Sequence, residues 1–150
     1  MIFRYFILLV FMVLFAASAK ADEAPAPTIL PSPFIGSWKN QAGSLVTFKI
    51  TEGIVRGTYQ TNIGQPDKNK SFELIGFTQG DQITFTVNFK GFGSMTAWTG
   101  QLTIDDKNTP YIRTLWHLTR DVPDDKEQEN IWSSVITGAS NFVRVNKIED

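Results

Sequence analysis

The sequence predicts an all-β protein that folds as an eight-stranded antiparallel up-and-down β-barrel. Three observations lead to this prediction. The chain is rich in aromatic and β-branched residues, including 12 Phe and 4 Trp, which favour strands. Short segments of alternating polar and apolar residues follow one another between turn residues, and no helix-length amphipathic pattern competes with them. Eight such segments with short links form a meander, which loses its exposed edges by closing on itself.

Residues 1–21 are predicted to be a signal peptide. Arg4 supplies the positive charge that precedes an apolar run over residues 5–17, and two overlapping small-x-small cleavage sites follow at residues 17–19 and 19–21. The apolar run is shorter than the ~20 residues of a membrane-spanning helix. We therefore expect an exported protein, secreted or periplasmic, whose mature form has no membrane segment.

The rest of the composition limits the function classes. Residues 22–33 are rich in Ala and Pro and are predicted to be an extended linker, so the folded domain is expected to span residues 34–147. The net charge of -1 gives no electrostatic reason to expect nucleic acid or an anionic membrane as a partner. With Cys 0 and His 1, disulfides, thiolate catalysis and a multi-histidine metal site are excluded.

The first half of the domain predicts four strands. Val46 and Phe48 share one face of the second strand, and Tyr59 lies on the corresponding face of the third. A tight turn is predicted at residues 51–53, and Gly and Pro keep the polar loop over residues 62–70 out of regular structure. The predicted strands are residues 35–40, 44–51, 54–61 and 71–78.

The second half predicts four more strands. Phe85 and Val87 share one face of the fifth strand. The seventh strand, which contains Trp116, shows the same alternation of polar and apolar residues. The acidic segment over residues 121–130 contains Pro and is predicted to be a loop, followed by a helical turn at residues 131–135. The predicted turns are residues 79–81, 91–93 and 105–110, and the predicted strands are residues 82–90, 94–104, 111–120 and 138–146.

One end of the predicted barrel has a polar and aromatic lining. Ser94, Thr96 and Trp98 lie on one side of the sixth strand, because alternate residues of a strand point to opposite faces. Two hydroxyls beside an indole are typical of a small-molecule site, although a solvated edge strand would have the same composition. The deeper inward positions are predicted to form the core: Phe48, Ile50, Phe85, Leu102, Ile104 and Ile112. The inward positions near the mouth are Asn40, Ser44, Tyr59, Thr61, Ser94, Thr96, Trp98, Trp116, Leu118 and Ser140.

The predicted pocket lacks the groups that catalysis needs. It contains no carboxylate pair and no Ser–His pair. His117 lies between the inward positions Trp116 and Leu118, so its side chain is expected on the barrel exterior. We therefore predict a binding protein that is not an enzyme, with no cofactor and no metal site.

Six segments, in order along the domain, resemble the avidin/streptavidin family of biotin-binding proteins. No single segment is specific, but six in register are difficult to explain by coincidence. The segments are GSWKNQAGS (36–44), GTYQT (57–61), FTVNFK (85–90), TAWTGQ (96–101), RTLWHL (113–118), and Trp132 followed by Gly138 and Phe142. The resemblance implies biotin as the ligand.

The resemblance implies a role for each pocket residue. Asn40, Ser44 and Tyr59 would donate hydrogen bonds to the ureido oxygen of biotin, which is polarised by such donors. Thr61 would accept a hydrogen bond from one ureido N–H, and Ser140 stands where the family usually has Asp or Asn accepting from the other. Thr96 would contact the thioether sulfur, and Ser94 would form a hydrogen bond with the carboxylate. The bicyclic ring would be surrounded by Phe89, Trp98, Trp116 and Leu118, and residues 62–70 would form a lid.

Departures from the family pattern predict tight biotin binding that is weaker than in the tightest members. Ser140 is shorter than Asp and uncharged, and losing a charge-assisted bond costs roughly 1.5–3 kcal/mol. Phe89 replaces a Trp, Ala42 replaces a larger aliphatic residue, and the Gly-Phe-Gly link at residues 91–93 replaces a more polar one. The alternative is an exported, lipocalin-like barrel that binds another small apolar ligand.

Trp132 bears on assembly. The resemblance implies that its side chain reaches the site of a neighbouring subunit, so we expect self-association, a homotetramer with a dimer as the alternative. A buried loop anchor within the same chain is the other interpretation of Trp132. The outward residues that could supply an apolar interface are Met95, Ala97, Leu115 and Val143.

Overall fold

The computed structural model of the protein describes residues 31–145. Within this range the strands form one closed barrel, in which each strand pairs antiparallel with the next and the last pairs with the first. This confirms the predicted eight-stranded antiparallel up-and-down barrel. The strands are β1 (Gly36–Asn40), β2 (Leu45–Thr51), β3 (Ile54–Gln60), β4 (Ser71–Gln79), β5 (Gln82–Phe89), β6 (Ser94–Ile104), β7 (Pro110–Arg120) and β8 (Val135–Arg144).

Several predictions concern residues beyond this range. The predicted signal peptide over residues 1–21, most of the linker over residues 22–33 and the last two residues of the domain 34–147 lie outside the described residues. In the part of the chain that is described, no helix is both long enough and apolar enough to cross a membrane.

The segment before the last strand differs from its prediction. β8 begins at Val135 rather than at residue 138, because its first residues extend the ladder along β7 as far as the pair Thr119↔Val135. The acidic segment that was predicted as a loop forms short helical turns, since acidic side chains favour a helix N-terminus electrostatically. These turns are a 3₁₀ turn (Asp124–Lys126) and helix α1 (Glu127–Asn130). The helical turn that was predicted at residues 131–135 is present as a second 3₁₀ turn (Ile131–Ser133).

Aromatic side chains fill one end of the barrel. Phe34 and Trp38 are completely buried, and the Trp38 indole N–H donates a hydrogen bond to the Phe34 carbonyl at 2.8 Å. The Arg144 guanidinium lies 4.3 Å from the Trp38 ring centroid and donates to the carbonyl oxygens of Ile35 and Pro33. This packing ties the entering chain to the end of β8 and leaves the open space of the barrel at the opposite end.

Inward-facing glycines allow adjacent strands to approach closely where the barrel bends. A Cβ at Gly57 would lie 1.8 Å from the carbonyl oxygen of Thr47 on β2, and one at Gly76 would lie 1.9 Å from that of Thr84 on β5. No side chain fits at such distances, so glycine is required by the curvature of the sheet.

The core prediction is wrong for Ile104. Its side chain is 61% exposed, whereas Phe48, Phe85 and Ile112 are buried. The pairing of β5 with β6 ends at Gln101, so the last residues of β6 continue only as a hairpin with β7 and project beyond the barrel. The alternation of the sequence gives the correct face of the strand but not the point at which the barrel ends.

Candidate ligand-binding site

A cavity of about 390 Å³ lies at the end of the barrel opposite Phe34 and Trp38. Its volume is within the range of small-molecule sites, roughly 300–1,000 Å³. Every predicted pocket residue except Trp132 lies in its wall, and within the described chain the wall has no charged side chain. The predicted residues in the wall are Asn40, Ser44, Tyr59, Thr61, Phe89, Ser94, Thr96, Trp98, Trp116, Leu118 and Ser140.

Sequence reasoning did not name several other wall residues. Those of the β3–β4 loop could have been found, because residues 62–70 were already assigned as a lid. The sequence pattern did not indicate Gln41 or Ala139 as wall residues. Each is adjacent in sequence to an inward-facing polar residue, so strand alternation predicts that its side chain points outward. The wall residues that were not among the predicted pocket residues are Gln41, Ala42, Ile63, Gly64, Gln65, Pro66, Phe92 and Ala139.

Asn40 and Ser44 are held by hydrogen bonds that engage their acceptor atoms. The Asn40 Oδ1 accepts from the backbone N–H of Ala42 at 3.1 Å and from that of Ser44 at 2.9 Å. The Ser44 hydroxyl accepts from the backbone N–H of Asn62 at 3.0 Å. The groups that remain for the cavity are therefore donors, the Asn40 amide NH₂ and the Ser44 O–H.

Thr61 has the complementary arrangement. Its hydroxyl donates to the carbonyl of Ile63 at 2.8 Å and accepts from the Ile63 N–H at 3.1 Å, in a local turn at the start of the β3–β4 loop. Because its only hydrogen is used, a further partner can engage Thr61 Oγ1 only as an acceptor. The cavity therefore has donors on one side and an oriented acceptor at Thr61.

Tyr59 belongs to the donor group. Burial raises the pKa of its phenol above the ordinary value of 10.0, while the neighbouring Ser44 and Asn40 side chains act in the opposite direction. A phenol with a pKa above 10.0 is protonated at neutral pH, so its O–H can donate a hydrogen bond.

Stacked aromatic rings form the apolar wall. Trp98 lies 4.9 Å from Phe85 between ring centroids, at an interplanar angle of 10°, and 5.0 Å from Tyr59. The ring of Trp116 lies where a side chain of residue 138 would be, since a Cβ on Gly138 would approach it to 2.3 Å. The Trp98 ring is thus packed against Phe85 and Tyr59, and the absence of a side chain at Gly138 leaves space for the ring of Trp116.

Gln41 positions the backbone on both sides of Ser140. Its Nε2 donates to the carbonyl of Ala139 at 3.1 Å, and its Oε1 accepts from the N–H of Asn141 at 3.0 Å. The backbone pairing between β1 and β8 ends at Asn40, so this side chain continues the closing ladder by one more step. Ser140 is 5% exposed and lies in the cavity wall.

The β3–β4 loop is attached at both of its ends. At its start, the Asn62 Nδ2 donates to the carbonyl of Ala42 at 2.9 Å. At its end, the Lys70 ammonium lies 4.7 Å from the ring centroid of Phe92 and 5.7 Å from that of Phe72, in cation–π geometry. Since Phe92 is a wall residue, this contact joins the end of the loop to the rim of the cavity.

Trp132 lies away from the cavity of its own chain. Its side chain is 80% exposed in the second 3₁₀ turn, so its interpretation as a buried loop anchor is wrong. His117 is exposed on the barrel exterior, as predicted. Among residues 31–145, no group of three or more His, Cys, Asp or Glu side chains is placed to hold a metal ion.

Apolar side chains are exposed on the outside of the barrel. Leu115 is 64% exposed, Phe77 is 62% exposed, and Met95 and Val143 are each about half exposed. A depression of about 790 Å³ lies on this outer surface and includes Phe77, Arg113 and Leu115 in its lining. Unlike the wall of the barrel cavity, most of its lining consists of outward-facing residues of several strands.

Comparisons with known proteins agree with this geometry. The family model described as the Avidin family matches residues 30–145. Avidin-related protein 4/5 of Gallus gallus is 29% identical over 134 residues, which cover 85% of this chain and 87% of that protein. Avidin of Gallus gallus is 28% identical over 131 residues, which cover 81% and 84%, respectively.

A solved structure shows that the similarity extends to the three-dimensional fold. The X-ray structure of biotin binding protein from chicken is similar to this chain with a TM-score of 0.64 at 29% identity, covering 76% of this chain and 97% of that chain. The residues matched by the family model, 30–145, include all eight strands of the barrel. With a family match that spans the whole barrel, the chain belongs to the avidin family.

Proposed function

We propose that the protein binds biotin tightly and non-covalently in the barrel cavity, sequesters it, and catalyses no reaction. The observation that carries the proposal is the split of hydrogen-bonding groups in the cavity wall. Asn40, Ser44 and Tyr59 present donors, whereas Thr61 presents an acceptor. A cyclic urea needs this set, because its oxygen accepts hydrogen bonds and its two N–H groups donate them.

The rest of the wall suits the rest of the ligand. The rings of Trp98 and Trp116 would cover the bicyclic ring system together with Phe89 and Leu118. Thr96 would lie against the thioether sulfur, and Ser94 would donate to the carboxylate at the mouth. The β3–β4 loop would close over the ligand as a lid.

Ser140 would accept from the second ureido N–H through its hydroxyl. Because a hydroxyl is neutral and short, this bond would be weaker than one to a carboxylate, by roughly 1.5–3 kcal/mol. We therefore expect biotin binding that is tight but weaker than in the tightest members of the family.

We further propose that the mature protein is exported, secreted or periplasmic, and works as a homotetramer, with a dimer as the alternative. The exposed apolar side chains of Leu115, Met95 and Val143 would form contacts between copies. Trp132, which its own chain leaves exposed, would insert into the cavity of a neighbouring copy.

Retention of the purified mature protein on biotin-agarose tests the proposed ligand. We expect retention that free biotin competes away, and a tryptophan-fluorescence change on titration with biotin. Failure to bind the resin, or binding that free biotin does not reverse, would contradict the proposal. A fluorescence response to fatty acid or retinoid but not to biotin would instead favour the lipocalin-like alternative.

A further inference from the structure

The turn that carries Trp132 is tied to the barrel by Arg120, the last residue of β7. Arg120 donates from Nε to the Ser133 carbonyl at 2.9 Å and from Nη2 to the Ser133 hydroxyl at 2.6 Å. Its backbone N–H donates to the carbonyl of Ser134 at 2.8 Å. Two donors of the planar guanidinium thus engage two acceptors of one residue, an arrangement that fixes orientation as well as position.

The Ser133 hydroxyl passes this connection on along the chain. It accepts from Arg120 and donates to the carbonyl of Asn130 at 2.9 Å, so both of its hydrogen-bonding functions are used within the protein. Asn130 is the residue that precedes the 3₁₀ turn. Arg120 is therefore connected, through Ser133, to both ends of the turn.

The turn has little packing of its own to hold it. It contains three residues, none of them buried, and within the described chain no side chain caps its N-terminus. So short a helical turn is unstable by itself, because its few backbone hydrogen bonds do not offset the cost of ordering the chain. Trp132 is 80% exposed and gains little from contacts with its own barrel. Its orientation therefore depends on the hydrogen bonds from Arg120.

Arg120 also places the turn at the open end of the barrel. It pairs with Ser94 across β6 and β7, and strand alternation puts it on the same inward face as Leu118. Ser94 and Leu118 are wall residues of the cavity, and Arg120 lies one step beyond Leu118 towards the mouth. Because Ser133 is bonded to Arg120, the turn stands at the same end of the barrel as the mouth.

We propose that Arg120 is a positioning residue for ligand binding. Through its hydrogen bonds to Ser133, it holds Trp132 in the orientation in which that side chain enters the cavity of a neighbouring copy. This inference rests on the proposed function, in which Trp132 contacts biotin bound to another copy. A turn that is already ordered loses less conformational freedom when its side chain inserts, so the assembled site retains its ligand longer.

Fluorine NMR of the mature protein labelled with 5-fluorotryptophan tests the clamp without ligand. The signals of Trp132 and of the buried Trp38, at the opposite end of the barrel, are each identified by their loss in the corresponding Phe variant. Arg120→Gln and Ser133→Ala should shift or broaden the Trp132 signal and leave that of Trp38 in place. Lys126→Gln is the matched control, because it removes an exposed cation from the same connection between β7 and β8, and it should leave both signals unchanged.

Biotin release shows whether Arg120 acts through Trp132. Arg120→Gln should speed release by about fivefold or more in the otherwise unmodified protein but by less than about twofold on the Trp132→Ala background, because both changes remove the same contact. A direct contact of the guanidinium with the ligand carboxylate would persist on that background. Equal acceleration on the two backgrounds, or a Trp132 signal that Arg120→Gln leaves unchanged, would overturn the proposal.

The two failures can be told apart. If biotin does not bind but Arg120→Gln moves the Trp132 fluorine signal, the clamp on Trp132 is supported and the proposed ligand is wrong. If biotin binds and Trp132→Ala speeds its release, while Arg120→Gln changes neither the signal nor the release rate, the proposed function stands and the role of Arg120 is wrong.

Discussion

At the scale of single residues, the binding wall depends on which hydrogen-bonding function each side chain has left after folding. The Thr61 hydroxyl is the clearest case, because the turn at Ile63 uses its hydrogen and leaves an acceptor. The Asn40 carbonyl is the converse case, because two backbone N–H groups use it and leave the NH₂ as a donor. Hydrogen bonds with the backbone thus decide whether each of these side chains acts as a donor or as an acceptor towards a ligand.

Ser140 gives the first prediction. We expect Ser140→Asp to slow biotin release by about tenfold or more, because a carboxylate accepts from the second ureido N–H more strongly than a hydroxyl does. Release of labelled biotin, chased with excess unlabelled biotin, measures the effect. Ser140→Thr, which keeps a neutral hydroxyl, is the control. An unchanged or faster release from the Asp variant would mean that another group already accepts that bond.

Tyr59 gives a pH dependence. Its pKa is raised in the folded protein above the unfolded value of 10.0, mainly by burial. Below that pH the phenol is protonated in both states and the contribution to stability is complete. As the pH rises from about 10 towards the folded pKa, the unfolded state loses its proton first, so the free energy of unfolding falls.

Denaturant unfolding between pH 8 and 11, with and without Tyr59→Phe, checks this sign. The Phe variant should lose the part of the decline in the free energy of unfolding that Tyr59 causes. Tyr111→Phe, outside the cavity wall, is the control and should keep the decline. Identical pH profiles for the native protein and Tyr59→Phe would contradict the prediction.

At the scale of secondary structure, the barrel depends on where neighbouring strands approach one another. Gly76→Ala should lower the free energy of unfolding by about 3 kcal/mol, because its Cβ would lie 1.9 Å from the Thr84 carbonyl oxygen and force the strands apart. Urea unfolding measures the loss. Gly80→Asn is the matched control, since no atom lies within 4 Å of a Cβ there and Asn tolerates its positive φ of 58°. Equal losses in the two variants would exclude close packing as the cause.

At the scale of the whole molecule, Trp132 connects ligand binding with assembly. If its exposed ring completes the cavity of another copy, Trp132→Ala should speed biotin release by about tenfold or more and weaken the oligomer. Native mass spectrometry with and without biotin should give four mature chains for the unmodified protein. Ile131→Ala changes an exposed neighbour in the same 3₁₀ turn and is the control. It should change the rate of biotin release and the mass of the oligomer little. Unchanged release and unchanged mass in the Trp variant would place Trp132 outside the site.

The barrel could be predicted from the amino-acid sequence, because two-residue alternation and turn residues act locally. The same alternation placed Ser94, Thr96 and Trp98 on one face, and the structure has all three in the wall of the cavity. It failed at Ile104, since the end of the barrel depends on how far the neighbouring β5 extends rather than on the residues of β6.

The completion of the cavity wall depends on tertiary contacts. Gln41 reaches the backbone beside Ser140 across 98 residues of sequence, and within residues 31–145 the buried Trp98 N–H has no hydrogen-bond partner. These features depend on contacts between strands that are distant in the chain, for which local residue pattern carries no signal. The physical reason is that alternation fixes the face on which a side chain lies, whereas hydrogen-bond satisfaction depends on every group that folding brings against it.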